Sequence, residues 1–299
     1  MTGRSAQVMV PDRSTCLAGS RSGAGEPISD QEIANVSLAR ISARDLQELS
    51  DRAPAGDWRE IARNHRCAKI CEVACPDNFA QRANWRWMLD LPRGSRILDL
   101  AAGLGANAHA LALSDAEVFA VDANPNCVEF MRHRFAQEKL TNVHVGLNQG
   151  ALPFARSSFD LAVMDYGFLG GFEKALVHFG AEPQSMREIY DLLKPGAYLY
   201  LTISGSFIFR NAALRRYCRH LSVAGFSSVK VFTILPDHTT PRFFVPRTAS
   251  MFSYYHRNFG ASPQSGLRRI LRNVLRGSGV SGYLPRCFAI FAEKPGELS

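Results

Sequence analysis

Asp99, Gly103, Gly105 and Asp122 are the residues of this chain whose types and spacing could do chemistry together. Asp99 stands near the end of the apolar run Ile97-Leu-Asp-Leu100, and two glycines follow within six residues. A carboxylate where a buried strand ends suits a cationic ligand group, and glycines beside it let the backbone come close to that ligand. Asp122 follows Gly105 by seventeen residues and closes a second run, Glu117-Val-Phe-Ala-Val-Asp122. There it can take both hydroxyls of a ribose. Positioning these groups requires a strand, a glycine turn that opens a helix, and a second strand. That is the layout of a nucleotide-binding α/β unit, with the amides of the turn facing the ligand.

Two ligands compete for such a unit. Gly103-x-Gly105-x-x-Ala108 satisfies the G-x-G-x-x-G/A dinucleotide pattern. Asp99 argues against it, because an acid at the strand end would repel a pyrophosphate. The downstream blocks favour the other ligand: Leu152-Pro-Phe154, then Ser158-Phe-Asp-Leu-Ala-Val-Met-Asp165, then Leu193-Lys-Pro-Gly196-Ala-Tyr-Leu-Tyr-Leu201. With Asp99-Leu-Ala-Ala-Gly-Leu-Gly105 these resemble, in order, the class I S-adenosylmethionine-dependent methyltransferases. The resemblance covers residues 85–205, and Pro285 to Lys294 again as a closing strand.

That resemblance implies a Rossmann-like α/β fold with a seven-stranded, mostly parallel sheet whose last strand is antiparallel. It also implies roles. Asp99 and the backbone of Ala101, Gly103 and Gly105 would hold the methionine end of S-adenosyl-L-methionine. Asp122 would take the ribose hydroxyls and Ala123 the adenine edge, with Asn148 and Gln149 at the adenine amino group. Two residues depart from the family pattern. Ala101 replaces the first glycine, where a methyl group adds little bulk. Asn148 replaces an acid, and its amide oxygen can still accept a hydrogen bond.

Around this core the chain divides into five stretches. Residues 1–28 read as a disordered tail, rich in Gly, Ser, Arg and Ala. Residues 29–93 read as an N-terminal helical segment that opens on the capping box Ser29-Asp-Gln-Glu32. Its Asn84-Trp-Arg-Trp-Met-Leu-Asp-Leu91 reads as a helix packed on the sheet. Residues 94–234 form the core, 235–284 a basic helical lid insertion, and 285–299 the closing strand and tail. Cys67, Cys71 and Cys75, at steps of four, fall on one helical face and read as packing. His65 is near enough in sequence to complete a four-ligand set, but no metal site is predicted. Free thiols and the lack of a signal-like run point to a cytoplasmic enzyme.

Positive charge is local. Residues 205–284 hold twelve Arg and Lys against one acid, more than the whole chain's net charge of +8. Within them, Gly266-Leu-Arg-Arg-Ile-Leu-Arg-Asn-Val-Leu-Arg-Gly277 puts Leu267, Ile270, Leu271, Val274 and Leu275 on one helical face and four arginines on the other. The plain reading is a lid helix with a solvated basic face. The sharper one is peripheral contact with the inner membrane face, or cover for an anionic substrate. Leu235 to Pro246 reads as a proline-bracketed loop folding over the site. With the tryptophan lead-in it resembles a methyltransferase branch associated with surface-polysaccharide and glycoconjugate pathways.

The expected activity is methyl transfer to a small-molecule or glycan-like, anionic acceptor, on oxygen. A hydroxyl acceptor needs a base within hydrogen-bond reach. Asp165, at the end of the fourth strand, and His238, in the loop, are the leading candidates, ahead of Tyr166 and His178. Two alternatives stay open: a non-catalytic cofactor-binding module docking on a membrane or partner enzyme, and an RNA methyltransferase. The latter lacks any recognisable RNA-binding module.

Overall fold

The computed structural model describes residues 41–74, 82–148, 152–165, 183–204, 207–235, 241–247, 250 and 287–296. The 1–28 tail, the 29–32 capping box, Cys75, Gln149, Tyr166, His178, His238 and the 266–277 segment lie outside them.

Three short helices come first: α1 (Ala43–Arg52), α2 (Trp58–Arg63) and α3 (Ala68–Ala74). Ser42 and Asp57 cap the first two, their side-chain oxygens accepting the Asp45 and Arg59 amides. Next come β1 (Arg96–Leu100), α4 (Ala106–Ala112), β2 (Glu117–Asp122), α5 (Pro125–Gln137), β3 (Val143–Leu147) and β4 (Phe159–Asp165). The chain continues through α6 (Pro183–Leu192), β5 (Leu193–Ser204), α7 (Phe207–Ala224), β6 (Ser227–Leu235), β7 (Phe243–Pro246) and β8 (Cys287–Glu293).

The strands form one sheet in the order β3-β2-β1-β4-β5-β8-β6-β7. β1 to β5 run parallel, and β8 is antiparallel to both β5 and β6. The sheet is the predicted one with eight strands rather than seven. The extra strand is β7, antiparallel to β6 at the edge. Phe243–Pro246, expected as part of a loop, thus spends its backbone hydrogen bonds on the sheet.

Both faces of the sheet are covered, which is why its strands read as near-continuous apolar runs. On one face, Leu98, Leu100, Leu199 and Ile290 pack with Leu214, Tyr217 and Leu221 of α7. On the other, Ile97, Val118, Tyr200 and Phe291 meet α4, Trp85 and the α5 residues Val128, Met131 and Phe135. The N-terminal helices add a further cluster in which Ile41, Leu46, Leu49, Trp58 and Ile70 close over Phe130, Cys127 and Leu104. They therefore rest on α5 and on the glycine turn itself. β2 and β4 flank β1 on opposite sides, so the crevice of this α/β sheet opens at the carboxyl ends of β1, β2 and β4.

Candidate cofactor site

The glycine turn between β1 and α4 is built from left-handed residues. Ala101, Gly103 and Gly105 have φ of 54°, 57° and 76°. Gly105 is also the N-cap of α4. A Cβ there would stand 2.6 Å from Phe135 Cζ and 3.0 Å from Met131 Cγ, so glycine is required by both conformation and space. Ala101, where the family pattern has glycine, carries its methyl group into a conformation that costs an L-residue about 1–2 kcal/mol.

The turn is tied down from two sides. The Ala102 amide donates to the Val121 carbonyl at 3.1 Å, and the Gly103 amide to Asp122 Oδ2 at 2.8 Å. The Asn124 amide donates to Asp122 Oδ1, also at 2.8 Å. Asp122 is therefore a clamp between β2 and the turn. Burial pushes its carboxyl up, and the amides it accepts oppose that shift. Below the turn, Arg134 of α5 is completely buried. It donates to the Leu104 carbonyl at 2.7 Å, contacts His109 Nδ1 at 3.0 Å, and lies 4.1 Å from the Trp58 ring. Burial and this guanidinium hold His109 neutral, down at about 3.

Asp99 is 1% exposed. Its Oδ2 has no hydrogen-bond partner among the described residues. Burial, then the neighbouring Asp165 carboxylate, push the Asp99 carboxyl up to about 8, with Arg82 pulling the other way. Asp165, at the end of β4, is heavily engaged. Thr202 Oγ1 of β5 donates to its Oδ1, and Asn107 Nδ2 of α4 donates to its Oδ2 at 2.9 Å. Arg82 approaches the same Oδ2 with Nε at 3.3 Å and Nη2 at 3.2 Å. Arg82 Nη1 and Asn107 Oδ1 are buried and, like Asp99 Oδ2, lack a partner among the described residues. The floor of the crevice thus holds a cation and two acceptor oxygens with unused hydrogen-bonding capacity.

The structure brings Asp99, Ala101, Gly103, Gly105, Asp122 and Asp165 together at this crevice. Ala123 follows Asp122 directly and is half-buried. Asn148 follows β3, its amide donating to the Asp122 carbonyl at 2.8 Å. Sequence reasoning missed Arg82, Asn107 and Thr202. Asn107 and Thr202 sit at a helix start and within a strand, both next to recognised blocks. Arg82 has no local signal, because only the fold brings it to Asp165. The tryptophan lead-in is a 3₁₀ turn at Asn84–Met88 rather than a longer helix. Trp85 is buried and stacks on Tyr200 at 4.0 Å between ring centroids, whereas Trp87 is 75% exposed.

Two other features lie away from the crevice. Asp45, Glu48 and His65 place ligand atoms within 4.8 Å of one another. Arg66 already neutralises both acids, at 2.9 Å from Asp45 and 3.3 Å from Glu48. His65 Nδ1 accepts the Cys67 amide at 3.0 Å, which leaves the proton of the neutral ring on Nε2, the atom a metal would need. Cys67 precedes α3 and Cys71 lies within it, both half-buried. A cleft of about 480 Å³ opens at the amino end of β1, lined by Trp87, Leu91, Arg93, Leu113 and Asp115. No helix among the described residues is long and apolar enough to cross a membrane.

Residues 91–220 match a family model described as a methyltransferase domain. A demethylmenaquinone methyltransferase of Tropheryma whipplei is 34% identical over 91 residues, covering 29% of this chain and 37% of the relative. The enzyme of that name from Corynebacterium urealyticum is 35% identical over 126 residues, 41% of this chain and 49% of the relative. The chain thus spans less than half the length of these curated relatives. Phosphoethanolamine N-methyltransferase 2 of Haemonchus contortus, solved with S-adenosylhomocysteine, aligns over 90% of this chain and 61% of its own, at 16% identity and a TM-score of 0.49. Residues 91–220 of this chain are thus similar to a methyltransferase domain.

Proposed function

We propose that the chain transfers a methyl group from S-adenosyl-L-methionine to a small-molecule acceptor. The observation that carries this reading is the buried, unsatisfied Asp99 Oδ2 beside a left-handed turn clamped by Asp122. An orphaned buried carboxylate oxygen is costly unless a ligand donates to it. The ammonium of the cofactor's amino-acid end is such a donor. Gly105 lets the turn pack directly on Phe135 and Met131, which keeps its backbone in place for the cofactor. Each Asp122 oxygen accepts one amide and keeps a lone pair for a ribose hydroxyl. Ala123, Asn148 and Gln149 follow at the adenine end.

When bound, the cofactor supplies an electrophilic methyl group on a sulfonium. The chain's own part is to fix the line of attack and exclude water. The turn and Asp122 hold one reactant still. Asp165 and His238 remain the candidate bases for a hydroxyl acceptor, and the contacts of Asp165 hold its carboxyl group fixed.

The concentration of arginines in residues 205–284, with the lid proposed for 235–284, supports an anionic or glycan-like acceptor methylated on oxygen. It also supports peripheral contact with an anionic membrane through 266–277. The names of the relatives make demethylmenaquinone the first uncharged acceptor to set against it. Calorimetric titration of S-adenosylhomocysteine tests the cofactor reading. Saturable binding to the wild type that Asp122→Ala weakens about a hundredfold or more supports it, two charge-assisted hydrogen bonds being at stake. A folded wild type that does not bind refutes it.

A further inference from the structure

The cleft at the amino end of β1 lies at the opposite end of the strands from the crevice, and its volume is about 480 Å³. That falls within the roughly 300–1,000 Å³ of small-molecule sites. Leu91, Leu113 and the ring of Trp87, which is 75% exposed, form its apolar wall. The Arg86 guanidinium lies on that ring, with Cζ 4.6 Å from the centroid. Arg86 is half-buried, and its Nε is buried without a hydrogen-bond partner among the described residues. Burial alone pulls its titration down, and no carboxylate opposes the shift. The two acids of the cleft are engaged elsewhere. Asp115 faces Arg93 at 4.0 Å on the rim, where both side chains are exposed. Asp90 is exposed and acts on the Tyr198 hydroxyl. The least exposed charge of the cleft is thus a cation without an anion.

We propose that this cleft binds a small amphipathic anion, a molecule with a flat apolar body and one oxyanion group, a carboxylate, sulfonate or phosphate. The oxyanion accepts from the Arg86 guanidinium, and the body covers Trp87, Leu91 and Leu113. A guanidinium stacked on an indole keeps its N–H edge available, and that edge matches the fork of an oxyanion. A half-buried charge that has lost solvent without gaining a partner is costly, and a bound anion removes that cost. The exposed indole adds apolar area with little side-chain freedom to lose. The length of β1, about 15 Å, separates this cleft from the crevice. The ligand is therefore not the reactant, and its binding does not depend on the cofactor reading.

The test titrates the full chain with two fluorescent probes. Anilinonaphthalene sulfonate has the apolar body and the anion, and phenylnaphthylamine has the same body without the charge. The wild type is expected to bind the sulfonate saturably. Arg86→Gln should weaken it about ten- to a hundredfold, the range for a lost hydrogen bond between charged partners, and leave phenylnaphthylamine within about twofold of wild type. Trp87→Ala should weaken both probes about fivefold or more, through lost apolar contact. Trp87 is mostly exposed and Arg86 is unpaired among the described residues, so both variants should keep the wild-type urea midpoint. Arg86→Lys should restore part of the loss. Sulfonate binding unchanged by Arg86→Gln, or equal losses for the two probes, would overturn the proposal. Displacement of the sulfonate by S-adenosylhomocysteine would place the probe in the crevice and do the same. A folded wild type that binds no sulfonate also overturns it; if that protein sediments with phosphatidylglycerol vesicles and Trp87→Ala does not, the patch is a membrane contact instead.

Discussion

Gly105→Ala is the sharpest perturbation of the turn that the structure offers. Two costs act together. At φ 76° any L-residue gives up about 1–2 kcal/mol relative to glycine. Its Cβ would also lie 2.6 Å from Phe135 Cζ and 3.0 Å from Met131 Cγ. Both residues are buried among α4, β2 and Trp85, so neither ring nor thioether can swing into open space. Overpacking of this kind costs about 1–3 kcal/mol. The stiffer unfolded chain returns roughly 0.4–1 kcal/mol. The net expectation is a loss of about 1–5 kcal/mol, centred near 3, and a turn that no longer matches the cofactor. Urea unfolding followed by fluorescence reads it, since Trp58 and Trp85 are buried and report on the core. Ala101→Gly is the contrasting control in the same turn. It removes a strained Cβ at φ 54° and should be neutral or stabilising by up to about 1 kcal/mol, after the unfolded-state cost of a new glycine. A Gly105→Ala protein within about 1 kcal/mol of wild type would refute the argument that this glycine is demanded by its neighbours.

Two further outcomes follow from the buried charges. The Asp99 carboxyl is raised to about 8, so the folded state holds a proton that the unfolded state gives up near 4. That contribution is therefore complete in acid and is lost as pH rises toward 8, with a slope of up to about 1.4 kcal/mol per unit. Asp122, shifted in the same direction, adds to it. Asp99→Asn should flatten the slope between pH 4 and 8 in denaturant titrations; an unchanged slope contradicts the assignment. Arg134→Met leaves the Leu104 carbonyl and His109 without their donor and removes the cation from the Trp58 ring. It should cost about 1–3 kcal/mol in urea unfolding and weaken S-adenosylhomocysteine through a slackened turn, whereas unchanged stability would remove Arg134 from the turn's support.

The fold around the turn was legible because physics there is local. β1, β2 and β4 are buried on both faces, so their sequences are apolar runs with an acid at or next to the end, and Gly103 and Gly105 mark a left-handed turn after the first of them. β7 was not legible. It has four residues, bracketed by prolines, and only its pairing with β6 distinguishes it from a loop. Trp85 and Trp87 show the same limit on side chains. They are two residues apart in one short turn, yet one stacks on Tyr200 and the other faces solvent. Asp165 reads from the sequence as a strand-end acid and a candidate base. Its partners Arg82, Asn107 and Thr202 are 83, 58 and 37 residues away in the chain, beyond any periodicity or spacing argument.

A crystal structure of the protein with S-adenosylhomocysteine tests the central claim most directly. The account predicts the nucleoside at the carboxyl ends of β1 and β2, its ribose hydroxyls on Asp122 and its amino-acid end over Asp99. Density for the ligand anywhere else, such as the cleft lined by Trp87 and Leu113 at the amino end of β1, would contradict it.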